Sequence, residues 1–172
     1  MLIDIDFTPF KKALKFRRKG ERTEIQDPVR KKFLVLQPEE LVRQLVVQYL
    51  TTEKKYPLSK MRVEMGLRVN EVSKRCDILI YDKNFEPLLL VECKSIHVPI
   101  DQSVFEQIAQ YNLKFQVPLL VVTNGLVTYC CGMNLDKTQW IFLNNIPIND
   151  ELWTMSVEFS KCQSKLRKSI LN

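Results

Sequence analysis

The chain has 172 residues, an apolar fraction of 45% and a net charge of +6. This suits one globular domain with a sizeable core. No apolar run approaches a membrane span, since the longest, Val117 to Val122, is strand-sized. Five cysteines without framework spacing, and one histidine, His97, exclude a disulfide scaffold and a structural zinc site.

At the N-terminus, Asp4 and Asp6 interrupt the apolar residues and no small-residue cleavage site follows. That excludes a signal peptide and predicts a cytoplasmic protein with no membrane partner. Residues 1–37 read as a basic extension leading into or packed on the core. Lys11, Lys12, Lys15, Arg17, Arg18, Lys19 and Arg22 form one cationic block, and Arg30, Lys31 and Lys32 a second. Glu24, Asp27 and Pro28 read as loop, and Phe33 to Leu36 as a short edge strand. Clusters of this kind are phosphate-binding surface or simply a solvated face.

Pro38 stands where a first-turn proline is tolerated, and Glu39 and Glu40 suit a helix N-terminus. Leu41, Leu45, Val46 and Tyr49 complete the apolar stripe of a helix from about Pro38 to Leu50. Strands are expected over Met61 to Val69, Arg75 to Tyr81 and Leu88 to Ser95, the last two joined by a turn at Asp82 to Pro87. Leu88 to Val91 is continuously apolar, as in a strand buried on both faces. Asp101 is a plausible N-cap for a second helix, with Val104, Ile108, Tyr111 and Phe115 at helical spacing. Pro118 to Val122 is the next strand. Asn124 and Gly125 favour a tight turn, Leu126 to Cys131 pair back, and Trp140 to Leu143 add a short strand. The order predicts a mixed sheet with helices packed on it, over 38–150. Residues 151–172 form a C-terminal extension. In it Leu152, Trp153, Met155 and Phe159 can dock, and Lys161, Lys165, Arg167 and Lys168 make a third basic cluster.

Chemistry concentrates in Asp77 and in Glu92-Cys93-Lys94. Strand alternation puts Glu92 and Lys94 on one side and turns the Cys93 side chain away, toward a core role. The intervening hairpin returns Glu92 beside Asp77. Two carboxylates and an ammonium at the end of apolar strands need pairing or a metal. Oxygen ligands of this kind suit Mg²⁺, and Lys94 can neutralise charge developing on a phosphate. A buried Lys-Glu pair is the plainer alternative. His97 reads as a surface residue beyond the strand end.

These residues resemble the signature of the PD-(D/E)XK, or restriction-endonuclease-like, nucleases. The likeness is closest to the N-terminal nuclease domain of type I restriction enzyme R (HsdR) subunits. It runs from about Gln37 to Leu143. The matching segments, in order, are Pro38 to Gln44, Arg75-Cys76-Asp77-Ile78, Val91 to Ser95, Gln107 to Asn112 and Thr123-Asn124-Gly125. Cys76 stands where the superfamily's proline often precedes the aspartate. The resemblance implies an αβββαβ core and a metal site of Asp77, Glu92 and the Cys93 carbonyl, completed by Glu40. Lys94 would be the catalytic lysine. Gln107 and Tyr111, four residues apart on one helical face, would lie beside the metal and the DNA backbone. Arg43 and Arg75 would contact phosphate or pair with carboxylates. The implied activity is Mg²⁺-dependent endonuclease cleavage of DNA, with Mn²⁺ able to substitute, within a restriction-modification or defence system. Protein partners of a restriction or repair complex, and a homodimer, are open. So are a catalytically silent binding or scaffold module and a nuclease for RNA or structured DNA. The chain carries no Gly-x-x-x-x-Gly-Lys-Ser/Thr phosphate loop and no helicase motor.

Overall fold

Apolar alternation and turn chemistry organise a chain of short hairpins around one helical crossover. The computed structural model describes residues 2–69, 72–134 and 139–149. Strands β1 (Phe16–Lys19), β2 (Arg22–Asp27) and β3 (Lys32–Val35) come first, then helix α1 (Pro38–Thr52). They are followed by β4 (Met61–Val69), β5 (Val72–Tyr81), β6 (Pro87–Cys93), helix α2 (Gln102–Phe115), β7 (Leu119–Thr123), β8 (Thr128–Met133) and β9 (Trp140–Leu143). The docking residues and basic cluster expected after residue 150 lie outside the described residues. Among those described, no helix is long and apolar enough to cross a membrane.

The main sheet has six strands in sequence order, β4 to β9. All neighbours are antiparallel except β6 and β7, which run parallel because α2 carries the chain back across the sheet. Asp101 caps α2 as expected, accepting from the Ser103 N–H at 2.9 Å. At the next hairpin, Asn124 Oδ1 accepts from Leu126 and Val127, and Gly125 takes φ +85°. A side chain at Gly125 would press on Val42 of α1, 3.3 Å from where its Cβ would stand. The expected helix, three strands, helix and strand pair are all present.

Two apolar layers sandwich the sheet. On one face Ile78, Ile80, Leu89, Val91 and Cys93 pack on Val42, Val46, Val47 and Leu50 of α1. On the other, Leu79, Leu90, Leu120 and Val122 pack on Val104, Ile108 and Tyr111 of α2. The N-terminal segment joins the α1 layer. Phe7 and Phe10 both meet Tyr49 edge-on, at 5.7 and 5.6 Å, and Ile3 bridges to Thr128.

One local expectation is corrected. Glu24 and Asp27 are not loop but lie in β2, the middle strand of a second, three-stranded sheet. Only Ile25 of that strand is apolar, so the alternation that signals a strand is missing from the sequence. The polar positions are held by ion pairs instead, Glu24 to Arg17 at 2.6 Å and Asp27 to Arg30 at 2.5 Å.

Candidate active site

The turn between β5 and β6 fixes which residues can meet. Asp82 Oδ1 accepts the N–H groups of Asn84 and Glu86, both at 2.8 Å, closing the hairpin. The register then pairs Leu79 with Leu90 and Ile78 with Val91. Continued by one step, it sets Asp77 opposite Glu92. Asp77 Oδ2 accepts the Cys93 backbone N–H at 2.7 Å, which ties the two strand ends together.

Glu92 stands between Val91 and Cys93, which face α1, and so projects toward α2. There its Oε1 accepts from Lys94 Nζ at 2.7 Å and from Gln107 Nε2 at 2.5 Å. Gln107 closes the ring. Its Oε1 accepts from Lys94 at 3.0 Å, and its amide also donates to the Tyr111 hydroxyl at 2.7 Å. The other carboxylate oxygen, Glu92 Oε2, is buried with no hydrogen-bond partner.

On the α1 side, Asp77 Oδ1 accepts from Arg43 at 3.1 Å. Arg43 is 3% exposed and pairs with three carboxylates: Asp77, Glu40 and Glu64. Of the two expectations for Arg43, phosphate or carboxylate, the structure shows the carboxylates. Glu40 directs one oxygen at Arg43 and the other at Gln44, so its link to Asp77 runs through the guanidinium. Arg75 is exposed and makes no ion pair among the described residues. Cys93 is fully buried in the α1 layer, and His97 is exposed beyond the strand end. Two hydrogen-bonded groups therefore lie side by side, Asp77 with Arg43 and Glu40, and Glu92 with Lys94, Gln107 and Tyr111; they adjoin where Asp77 holds the Cys93 N–H, while Arg75 and His97 stand outside both.

Sequence reading missed three members of the first group. Arg30 donates to Asp27 and Glu64, both at 2.5 Å, and reaches to 3.7 Å of Glu40. Glu64 lies in an apolar stretch of β4, between Val63 and Met65. A carboxylate flanked by Val63 and Met65 in a predicted strand was the available signal.

The charges are unbalanced. Asp27, Glu40, Glu64, Asp77 and Glu92 form ion pairs with Arg30, Arg43 and Lys94, and the Glu39 carboxylate adds a further negative charge near Asp77 and Glu92. Burial, and then the Asp77 charge, pushes the Glu92 carboxyl up to about 8 against the pull of Lys94. Burial also raises Asp77 to about 6, against the Cys93 N–H and Arg43. Burial works against the Lys94 and Arg43 cations, but Glu92 holds the first charged and Glu40 with Asp77 the second. No group of three His, Cys, Asp or Glu side chains among the described residues is arranged to hold an ion by itself. An ion here would rest on two carboxylates, backbone carbonyl and water, the sparse protein ligation typical of Mg²⁺. A cleft of about 710 Å³, lined by Phe7, Leu41, Leu45 and His97 among others, does not include Asp77, Glu92 or Lys94. The chemistry, not the cleft volume, locates this site.

The helix, three-strand, crossover-helix, parallel-strand order, with its charged cluster at the ends of β5 and β6, defines a restriction-endonuclease-like domain. The family described as the type I restriction enzyme R protein N terminus matches residues 38–147, and the chain belongs to that family. Among solved structures, it is similar to a fragment assigned as an HsdR subunit of a type I restriction enzyme from Vibrio vulnificus YJ016. The two share 19% identity with a TM-score of 0.48. That similarity covers 66% of this chain and 24% of the other, so this chain spans about a quarter of its solved relative. No curated protein matches.

Proposed function

We propose that the domain is a divalent-metal-dependent nuclease that hydrolyses DNA phosphodiester bonds at the Asp77, Glu92 and Lys94 centre. One observation carries the reading: Glu92 Oε2 is buried and unpartnered where carboxylates outnumber cations. That surplus of acidic groups suits a divalent cation, Mg²⁺ or Mn²⁺, which would take the place of the Glu92 proton. Asp77, Glu92 and the Cys93 carbonyl are the groups to hold the ion, with Glu40 behind Arg43. Bound there, such an ion polarises a phosphoryl oxygen and activates water.

The chain's own groups do the rest. Lys94 donates two of its three N–H bonds to Glu92 and Gln107 and keeps a third for a phosphate oxygen. Gln107, braced by Tyr111, holds Glu92 and Lys94 in one orientation. Water attacks phosphorus in line and the 3′ oxygen leaves. Plasmid cleavage assayed with Mg²⁺, Mn²⁺ and EDTA tests this. Cleavage with either metal and none with EDTA is expected. DNA bound but intact under every metal would make the domain a silent binding module, and cleavage of RNA alone would change the substrate.

Lys11, Lys12, Lys15, Arg18, Lys19, Arg22, Lys31 and Lys32 are exposed and form no ion pair among the described residues, a surface for the phosphate backbone. Engaging about five phosphates, it should lose roughly 10²-fold or more in affinity between 50 and 200 mM salt. Fluorescence anisotropy with several unrelated duplexes checks this, and affinity independent of salt would remove the assignment. Action within a restriction or repair complex in the cytoplasm, the division of the chain at residues 37 and 150, and contacts from Arg75 belong to the same proposal.

A further inference from the structure

The family match begins at residue 38, yet a side chain from before it is wired to Asp77. Asp27 is fully buried. Its Oδ1 accepts the N–H groups of Val29 and Arg30, at 2.8 and 3.0 Å, and shapes the β2–β3 turn. Its Oδ2 holds Arg30 Nε at 2.5 Å. With that edge fixed, the Arg30 Nη1 donates to Glu64 Oε2 at 2.5 Å, and its Nη2 lies 3.7 Å from Glu40 Oε2. The other Glu64 oxygen pairs with Arg43 Nη2 at 3.0 Å, and Arg43 Nη1 donates to Asp77 Oδ1 at 3.1 Å.

Glu64 has a second peculiarity. It falls between the pairs Val63–Ile78 and Met65–Cys76, at the register position facing Asp77. Its φ is +47°, the left-handed region that a residue with a Cβ rarely adopts inside a strand. Strained backbone of this kind persists where the surroundings over-determine it, commonly at functional sites. Here the surroundings are two guanidiniums, one per carboxylate oxygen. They also keep Glu64 charged, below its ordinary value despite partial burial.

We propose that Arg30 is a positioning residue: acting through Glu64, it holds the Arg43 guanidinium on Asp77, so the β2–β3 turn completes a site otherwise built by the family-matched region. Arg30 occupies one Glu64 oxygen and leaves the other for Arg43. Without it, Glu64 can chelate Arg43 with both oxygens or turn to solvent, and Arg43 loses the third of its three fixed carboxylates. The effect on turnover rests on the nuclease reading, whereas the ordering of Arg43 does not.

The test compares Arg30→Gln, Arg30→Lys and Glu64→Gln with wild type in the full chain. The first readout is the guanidinium ¹H–¹⁵N NMR spectrum, with Arg43 assigned by Arg43→Lys. Wild type should show resolved Arg43 Nη signals from a locked group. Arg30→Gln and Glu64→Gln should average them, and Arg30→Lys should restore them in part, since an ammonium lacks the two-edged fork. The second readout is single-turnover cleavage, expected to fall roughly tenfold or more in both Gln variants with DNA affinity unchanged. An Arg43 spectrum unchanged in Glu64→Gln overturns the proposal, and that variant decides the matter even where Arg30→Gln fails to fold. A wild type that cleaves nothing would sink the nuclease reading and leave the Arg43 spectrum to judge the relay.

Discussion

Lys94→Ala (K94A) should lower single-turnover cleavage by about 10²–10³-fold while divalent-cation binding and the fold stay close to wild type. Lys94 offers no oxygen ligand, so under the proposed function the ion would keep Asp77 and Glu92. What K94A loses is a preset positive charge beside the phosphate, worth more in the transition state than in the ground state. The loss should therefore fall on turnover, with DNA affinity changed only modestly. Asp77→Ala (D77A) should differ in kind. It removes a proposed metal ligand and strips Arg43 and the Cys93 N–H of their shared acceptor. Metal affinity itself should then drop. Calorimetric metal titration and single-turnover cleavage of the three proteins at one salt concentration separate the cases. K94A cleaving at the wild-type rate would end the catalytic assignment. Lys94 also satisfies buried Glu92, so K94A must first be shown folded, because an unpaired buried carboxylate is costly in its own right.

The metal-free protein should become less stable as pH rises from about 4.5 to about 8, and Glu92→Gln (E92Q) should remove most of that slope. Burial raises the Glu92 carboxyl from 4.5 to about 8. In that window the folded chain keeps a proton that the unfolded chain releases. Stability is then full below 4.5 and is lost as pH rises through 8. For a side chain 3% exposed, the swing is on the order of 4 kcal/mol. Asp77 contributes with the same sign over 3.8 to about 6. In E92Q the amide oxygen still accepts from Lys94 and Gln107, and no charge develops, so the variant should exceed wild type in stability at pH 8. Mg²⁺ or Mn²⁺ should stabilise wild type at pH 8 and E92Q much less. Because the ion displaces the Glu92 proton, its apparent affinity should climb with pH, up to about tenfold per unit below 8. Urea unfolding at pH 5 and pH 8, with and without metal, reads all of these effects. A wild-type stability that increased from pH 5 to pH 8 would contradict the buried-carboxylate account.

Local pattern determined much of this protein by itself. The continuous apolar run of β6, the Asp82 turn and the Asn124-Gly125 turn constrain neighbouring residues, so the order of elements was legible without the fold. So was the meeting of Asp77 with Glu92 and Lys94, because a two-residue period and one short hairpin suffice to bring them together. The helical spacing of Gln107 and Tyr111 likewise predicts a shared face, and both side chains reach the same ring around Glu92. Tertiary structure decided the rest. Arg43 and Asp77 are 34 residues apart, as are Arg30 and Glu64, and no periodicity relates them. Their pairing depends on how α1 and the β2–β3 turn dock against the sheet, and docking is driven by apolar layers that contain none of these charges. The same holds for β2, whose buried carboxylates look like loop residues until Arg17 and Arg30 arrive from other turns of the chain to pair with them. A charged side chain carries its identity in the sequence, but whether it is solvated, paired or left in deficit is a property of the surface it is buried against.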